Sequence, residues 1–248
     1  ASSAGRSASA ASSAAIFARA AWRGSRALTW TGQLCQTRVS LGQVAGGPRY
    51  HARMNPPELA RSAVALLARP GSTLDRVAAR PSPADAALLV GLTGALWSGL
   101  CLLLWRAGHA PSRALVPIGR SNYYLGQALW VIPVLLFGWV VVGGACHLLS
   151  RWAGGKGTRA SMLACAGYAY AVPLAVVFVI PDIVAYLGFG FASLARLVRV
   201  TGLVLVVAEW ALMSRAVVAA HQLAWSRAVP IALLALLVQA VLVGPVLR

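Results

Sequence analysis

The sequence predicts an all-α integral membrane protein with five transmembrane helices, a short amphipathic N-terminal segment and a disordered N-terminal extension. Three observations carry that prediction. Of 248 residues, 59% are hydrophobic and only 11% are charged, with a mean hydropathy of +0.72, whereas about a quarter of a soluble globular chain is charged. No charge falls between Asp85 and Arg106, between Arg120 and Arg151, or between Arg159 and Asp182; apolar blocks of about 20 residues are long enough to cross a hydrocarbon core. Aromatic residues (Trp105, Tyr123, Tyr124, Trp130, Trp139, Trp152, Trp225) lie mostly near the block ends, where membrane headgroups favour them.

Residues 1–53 differ from all that follows. They are rich in Ala, Ser, Gly and Arg, include seven arginines and no acidic residue, and cannot bury a core, so disorder is expected. Such a stretch resembles an organelle transit peptide; the favoured alternative is that translation properly starts at Met54, where the composition changes abruptly. Residues 54–83 form an amphipathic segment. A short helix is expected from Pro57 to about Leu67, stopped by Pro70-Gly71, with a second from Ser72 to Ala79 capped by Ser72 or Thr73. The pair is read either as an interfacial element or as a cytoplasmic turn. Residues 84–248 hold the spans: roughly 84–105, 123–149, 160–187, 200–221 and 228–247. Pro133, Pro173 and Pro181 fall inside them, which a bundle tolerates because neighbours re-satisfy the freed carbonyls.

The net charge of +17 comes from 22 basic against five acidic residues. No basic stripe with interleaved aromatics accompanies it, so nucleic acid is not an expected partner, and membrane lipid headgroups are. Arg61, Arg69, Arg76, Arg80, Arg151, Lys156, Arg159 and Arg227 fall on one side of the predicted topology. Arg106, Arg113, Arg120, Arg196, Arg199 and Arg248 fall on the other, which leans to a cytoplasmic N-terminus. Of four cysteines, Cys101, Cys146 and Cys165 lie in apolar blocks, and with Cys35 they show no CxxC or zinc spacing. No cofactor or metal is expected.

The stretch HLLSRWAGGKGTR, His147 to Arg159, holds the chain's only lysine among three glycines. It is no phosphate-cradling loop: after Gly155-Lys156 stands Gly157 where Ser or Thr is needed, and Ser150 replaces the leading glycine. The expected structure is a tight basic turn between spans two and three. Ser98, in TGALWSGL, lacks the leading glycine and mid-span histidine of an intramembrane protease. His147 and His221 are expected at matching depth on one side. Two histidines without a carboxylate make a poor metal or haem site, and hydrogen bonds to headgroups or loop carbonyls are the expected role. Glu209, mid-way along span four, is a candidate proton or cation site paired with Arg215, Arg199 or Arg196, or else interhelical glue. Asp182 is expected to touch water.

LARPGSTLDRVAARPSP before the first span, HLLSRWAGGKGTR, CAGYAYAVP and VVAAHQLAWSRAV together resemble the Yip1 domain. The likeness runs from about Leu67 to Leu247, and its most telling positions are Gly154, Gly155, Gly157, Gly167, Tyr168, Pro173, His221 and Arg227-Ala228. None is catalytic. The resemblance implies five spans, a cytoplasmic N-terminus and a short far-side C-terminus. Eukaryotic members act in vesicle trafficking and bind prenylated Rab GTPases through an acidic, Tyr-Gly-Pro-bearing cytosolic segment. This chain lacks that segment, so GTPase binding does not carry over. The expected function is non-enzymatic, through homo- or hetero-oligomeric assembly with membrane proteins or lipids, using small-residue faces such as Gly91-x-x-Gly94 and Val142-Gly143-Gly144-Ala145. The alternative is a small transporter or ion-conducting subunit built on Glu209. The expected location is the inner membrane of a bacterium, or an organelle membrane if residues 1–53 are a targeting segment.

Overall fold

A computed structural model describes residues 56–111 and 119–247; the expectations placed on residues 1–53, Met54, Cys35, Arg113 and Arg248 lie outside them. Among the described residues eight α-helices follow in order: α1 Pro56–Ala68, α2 Pro70–Ala79, α3 Pro83–Arg106, α4 Tyr123–Trp152, α5 Arg159–Pro173, α6 Ile180–Phe189, α7 Phe191–His221 and α8 Trp225–Leu247. A π-helical stretch, Leu174–Val179, joins α5 to α6, and no strand occurs among the described residues. Five units are long and apolar enough to cross a membrane: α3, α4, α5 continued through α6, α7 and α8.

The helix starts are written locally. Pro83 opens α3 behind Ser82, whose hydroxyl accepts the Asp85 N–H at 3.3 Å, an N-cap with proline in the first turn. Thr158 does the same for Ser161 at the head of α5. In α2 the expected Ser72/Thr73 cap is absent. Arg69 occupies the cap position and Pro70 opens the helix, while the Ser72 hydroxyl donates to the Arg69 carbonyl. The two prolines of span three have a visible consequence. Neither Pro173 nor Pro181 can donate to the carbonyl four residues back, and between them the helix widens, with Ile180 N–H bonding Ala175 O five residues earlier. Span four begins at Phe191, about nine residues before the expected Val200, because Gly190 at φ +75° reverses the chain in a single residue. The expected far-side connection is thereby absorbed, and Arg196 and Arg199 stand on the first turns of α7.

Span three is the central element: 67% of its most apolar stretch is buried, against 28–39% for the other four spans. It packs on α3, α4 and α7, while α8 closes the ring between α4 and α7. Large apolar side chains such as Leu129, Phe137, Leu187, Leu203, Val206 and Val241 point outward, as lipid-facing surfaces require. Interior contacts are made through small residues. A Cβ on Gly167 would sit 2.5 Å from Ala86 Cβ, and one on Gly143 2.9 Å from Leu163, so α5 touches α3 and α4 at backbone distance. Gly94 is likewise used inside the protein, against Ile132 of α4, whereas Gly91 and Gly144 face open space. The two small-residue faces noted in the sequence are thus half spent on internal packing.

Buried polar groups bridge the spans. Ser98 donates to Ala128 O at 2.8 Å, Trp139 Nε1 to Leu163 O at 2.9 Å, Trp210 Nε1 to Val229 O at 3.1 Å, and Thr93 Oγ1 to Leu89 O with a longer contact to Ala171 O. Trp139 is therefore a core residue and not part of the aromatic belt. Asp182 corrects another expectation: it is only 5% exposed and sits inside the packing between α6 and its neighbours.

Candidate functional site

At one end of the bundle the second and fourth connections between spans meet. We call this the turn end. Helix α4 finishes in a Schellman motif: Gly154, at φ +88°, donates to Arg151 O, and Gly155 donates to Ser150 O at 2.8 Å. A left-handed residue is needed here, and glycine adopts it without a Cβ penalty. Gly155 and Gly157 serve a different purpose. A Cβ on Gly155 would lie 2.9 Å from His221 Nδ1, and one on Gly157 would strike the Ala220 carbonyl. The turn's backbone is thus pressed against the last turn of α7, and between the two glycines the Lys156 N–H donates to His221 O at 3.3 Å.

His221 ends α7 and is 1% exposed. Its Nε2 faces Nδ1 of the half-buried His147 at 3.2 Å, so one ring donates and the other accepts. The matching depth expected from the sequence is present, and the two histidines hydrogen-bond each other, a contact that was not expected beside headgroups or loop carbonyls. Among the described residues, His221 Nδ1 has no hydrogen-bond partner, nor does the buried Ser150 hydroxyl. Groups of three or more metal-ligating side chains do not occur among the described residues. From the other connection, Arg227 Nη1 donates to Ala153 O at 3.1 Å, a cation on an exposed C-terminal carbonyl of α4. Ala228 beside it is fully buried. Two loops about 70 residues apart in sequence are thereby interlocked, their contacts running through positions 155–157, 221 and 227.

Helix α2 lies over the same end. Leu74 and Val77 are buried, Ser161 Oγ donates to Ala78 O, and Arg215 of α7 donates through Nη2 to both Asp75 oxygens, at 2.7 and 2.8 Å, and to Gly71 O. Helix α2 therefore spends its apolar face on α5 and α7, while Val64 and Leu67 of α1 stay exposed. Of the three arginines considered as partners for Glu209, Arg215 is taken by Asp75, a partner the sequence pattern did not suggest. Glu209 itself stands half-buried on α7.

Gly167 and Tyr168 lie in the heart of α5. Tyr168 is fully buried, and its hydroxyl has no hydrogen-bond partner. Pro173 closes α5 and starts the π-helical stretch. None of these three reaches the turn, so the residues of the family-like pattern divide into an interlocked turn (Gly154, Gly155, Gly157, His221, Arg227) and a packing seam (Gly167, Tyr168, Pro173). Around the turn the side chains of Arg151, Lys156, Arg159 and Arg227 are exposed, beside Trp152 at 83% and Trp225 at 52% exposure.

Fold and turn together define an integral, multi-pass α-helical membrane protein whose connections on one side are fastened by glycine-to-backbone contact. The chain belongs to the Yip1 domain family: the family model for the Yip1 domain matches residues 64–246. Comparison with curated proteins and with solved structures gives no match.

Proposed function

We propose that this Yip1-domain protein acts without catalysis, organising membrane by assembling with anionic lipids and with other membrane proteins at its turn end, which we assign to the cytoplasm. The observation that carries this reading is the basic rim held on a locked turn. Arg151, Lys156, Arg159 and Arg227 surround a backbone fixed by His221 and the Schellman motif, with Trp152 and Trp225 beside them. Each basic group near an anionic surface contributes about 1 kcal/mol, screened by salt. Gln at positions 156 and 159 removes two charges that make no side-chain hydrogen bond among the described residues. The test reconstitutes the full chain in nanodiscs of mixed phosphatidylglycerol and phosphatidylcholine and counts retained lipids by native mass spectrometry. The double variant is expected to lose anionic lipid selectively; equal retention refutes the lipid reading. A wild-type protein that is strictly monomeric and crosslinks to nothing in its native membrane refutes the protein-assembly half.

A second reading, a small transporter or ion-conducting subunit, draws its support from Glu209, an acid at mid-span with no salt bridge among the described residues. Cation flux in proteoliposomes that is absent, or unchanged by Glu209→Gln, ends that reading.

A further inference from the structure

Four polar or side-chain-free positions on four different helices share one layer of the bundle: Gly138 of α4, Tyr170 of α5, Glu209 of α7 and Gln239 of α8. Helices α4 and α7 finish at the turn end, whereas α5 and α8 begin there. Measured along its own helix from that end, each position lies about three to four helical turns deep, roughly 16–21 Å at a rise of about 1.5 Å per residue. That depth is near the middle of a hydrocarbon core about 30 Å thick.

At that depth the side chains of Tyr170 and Gln239 meet beside Gly138. A Cβ built on Gly138 would be 3.3 Å from both Gln239 Nε2 and the Tyr170 hydroxyl, so the glycine leaves the room these two groups occupy. The Gln239 amide hydrogen-bonds the Tyr170 hydroxyl, and Glu209 stands at the same depth on α7. Gln239 is 9% exposed, and its Oε1 has no partner. Nε2 is the amide atom turned toward Gly138 and Tyr170, so the orphan is an oxygen, and the site depends on that orientation. Arg215, the nearest basic residue along α7, is held by Asp75; no titratable group of α4 or α8 lies in the layer, and Tyr170 is the titratable neighbour on α5.

The inventory is unbalanced. A carboxylate offers two acceptor oxygens and Gln239 Oε1 a third, while the Tyr170 hydroxyl already accepts from the amide and has one proton to give. In hydrocarbon, where no water makes up the difference, an unmatched set of oxygens is costly. We propose that Glu209, Gln239 Oε1 and the Tyr170 oxygen form a mid-membrane site for a small monovalent cation, the proton or sodium. Both suit hard oxygen donors, and either supplies the missing positive charge. The inference rests on the second reading above, but the test reads occupancy and not flux, so a site that binds without conducting leaves this inference standing while ending the transporter.

A hydrophobic carbodiimide reacts with a protonated carboxyl in an apolar environment, and peptide mapping by mass spectrometry reports modification at Glu209. With full-length protein in nanodiscs, labelling is expected to rise as pH falls. If sodium is the ligand, labelling at constant pH and ionic strength slows about tenfold when sodium replaces choline at about ten times its Kd, because only the unoccupied fraction reacts. If the proton alone binds, sodium has no effect and the pH dependence remains. Gln239→Leu and Tyr170→Phe are expected to weaken whichever dependence the wild type shows. Labelling of the wild type that responds to neither pH nor sodium overturns the proposal. So does a response left unchanged by both variants when each keeps its helical circular dichroism and its gel-filtration profile.

Discussion

Replacing Gly157 with Ala tests the claim that the turn is fastened to α7 by close backbone approach. An ideal Cβ at this position lies 2.7 Å from the Ala220 carbonyl carbon and 3.0 Å from His221 Nδ1, with the carbonyl oxygen nearer still. The nearest obstacle is the Ala220 backbone, which no rotamer change can move, so the turn must lift away from α7. Overpacking of this kind costs about 1–3 kcal/mol. The lift also stretches the Lys156 N–H to His221 O hydrogen bond, a further cost of about 0.5–1.5 kcal/mol. The control is Gly144→Ala, in the middle of α4 with nothing within 4 Å of its Cβ. There alanine is expected to be neutral or to stabilise by about 0.5–1 kcal/mol through helix propensity. Equilibrium unfolding in mixed micelles, followed by circular dichroism, ranks the two variants. A Gly157→Ala protein as stable as Gly144→Ala refutes the interlocking of the turn with α7.

Gly154→Ala at φ +88° should cost about 1–2 kcal/mol in the same assay, and Gly154→Asn less, because Asn tolerates the left-handed conformation. Trp139→Phe removes the second, interhelical donor to Leu163 O, a carbonyl that keeps its bond within α5, and is expected to lose about 0.5–1.5 kcal/mol. Asp75→Ala should cost less than about 1 kcal/mol, since the carboxylate is more than half exposed and such pairs contribute little. Arg215→Ala should cost more, because it also frees Gly71 O. Hydrogen exchange in α2 should rise in Arg215→Ala and stay near wild type in Asp75→Ala; the reverse order would contradict the assigned contacts.

What was legible in the sequence was local. Charge-free apolar blocks, Ser82-Pro83, Thr158 and the glycines of GGKG fix where helices begin and turn, because hydropathy, proline geometry and left-handed backbone are properties of a few neighbouring residues. The family pattern was legible for the same reason, being carried by short motifs around those turns. Gly190 was the signal that could have placed the start of α7 at Phe191, and it was outweighed by Arg196 and Arg199, which look like a connection. Only the tertiary structure decided how each span is rotated about its axis. In a soluble helix the polar face reports that rotation; in these spans the lipid face and the core face are both apolar, so no stripe distinguishes them. Hence the sequence placed Trp139 at the belt, Asp182 in water and Arg215 among three candidate partners of Glu209. Packing instead buried the first two, gave Arg215 to Asp75 across 140 residues, and set Glu209 in a layer with Tyr170 and Gln239.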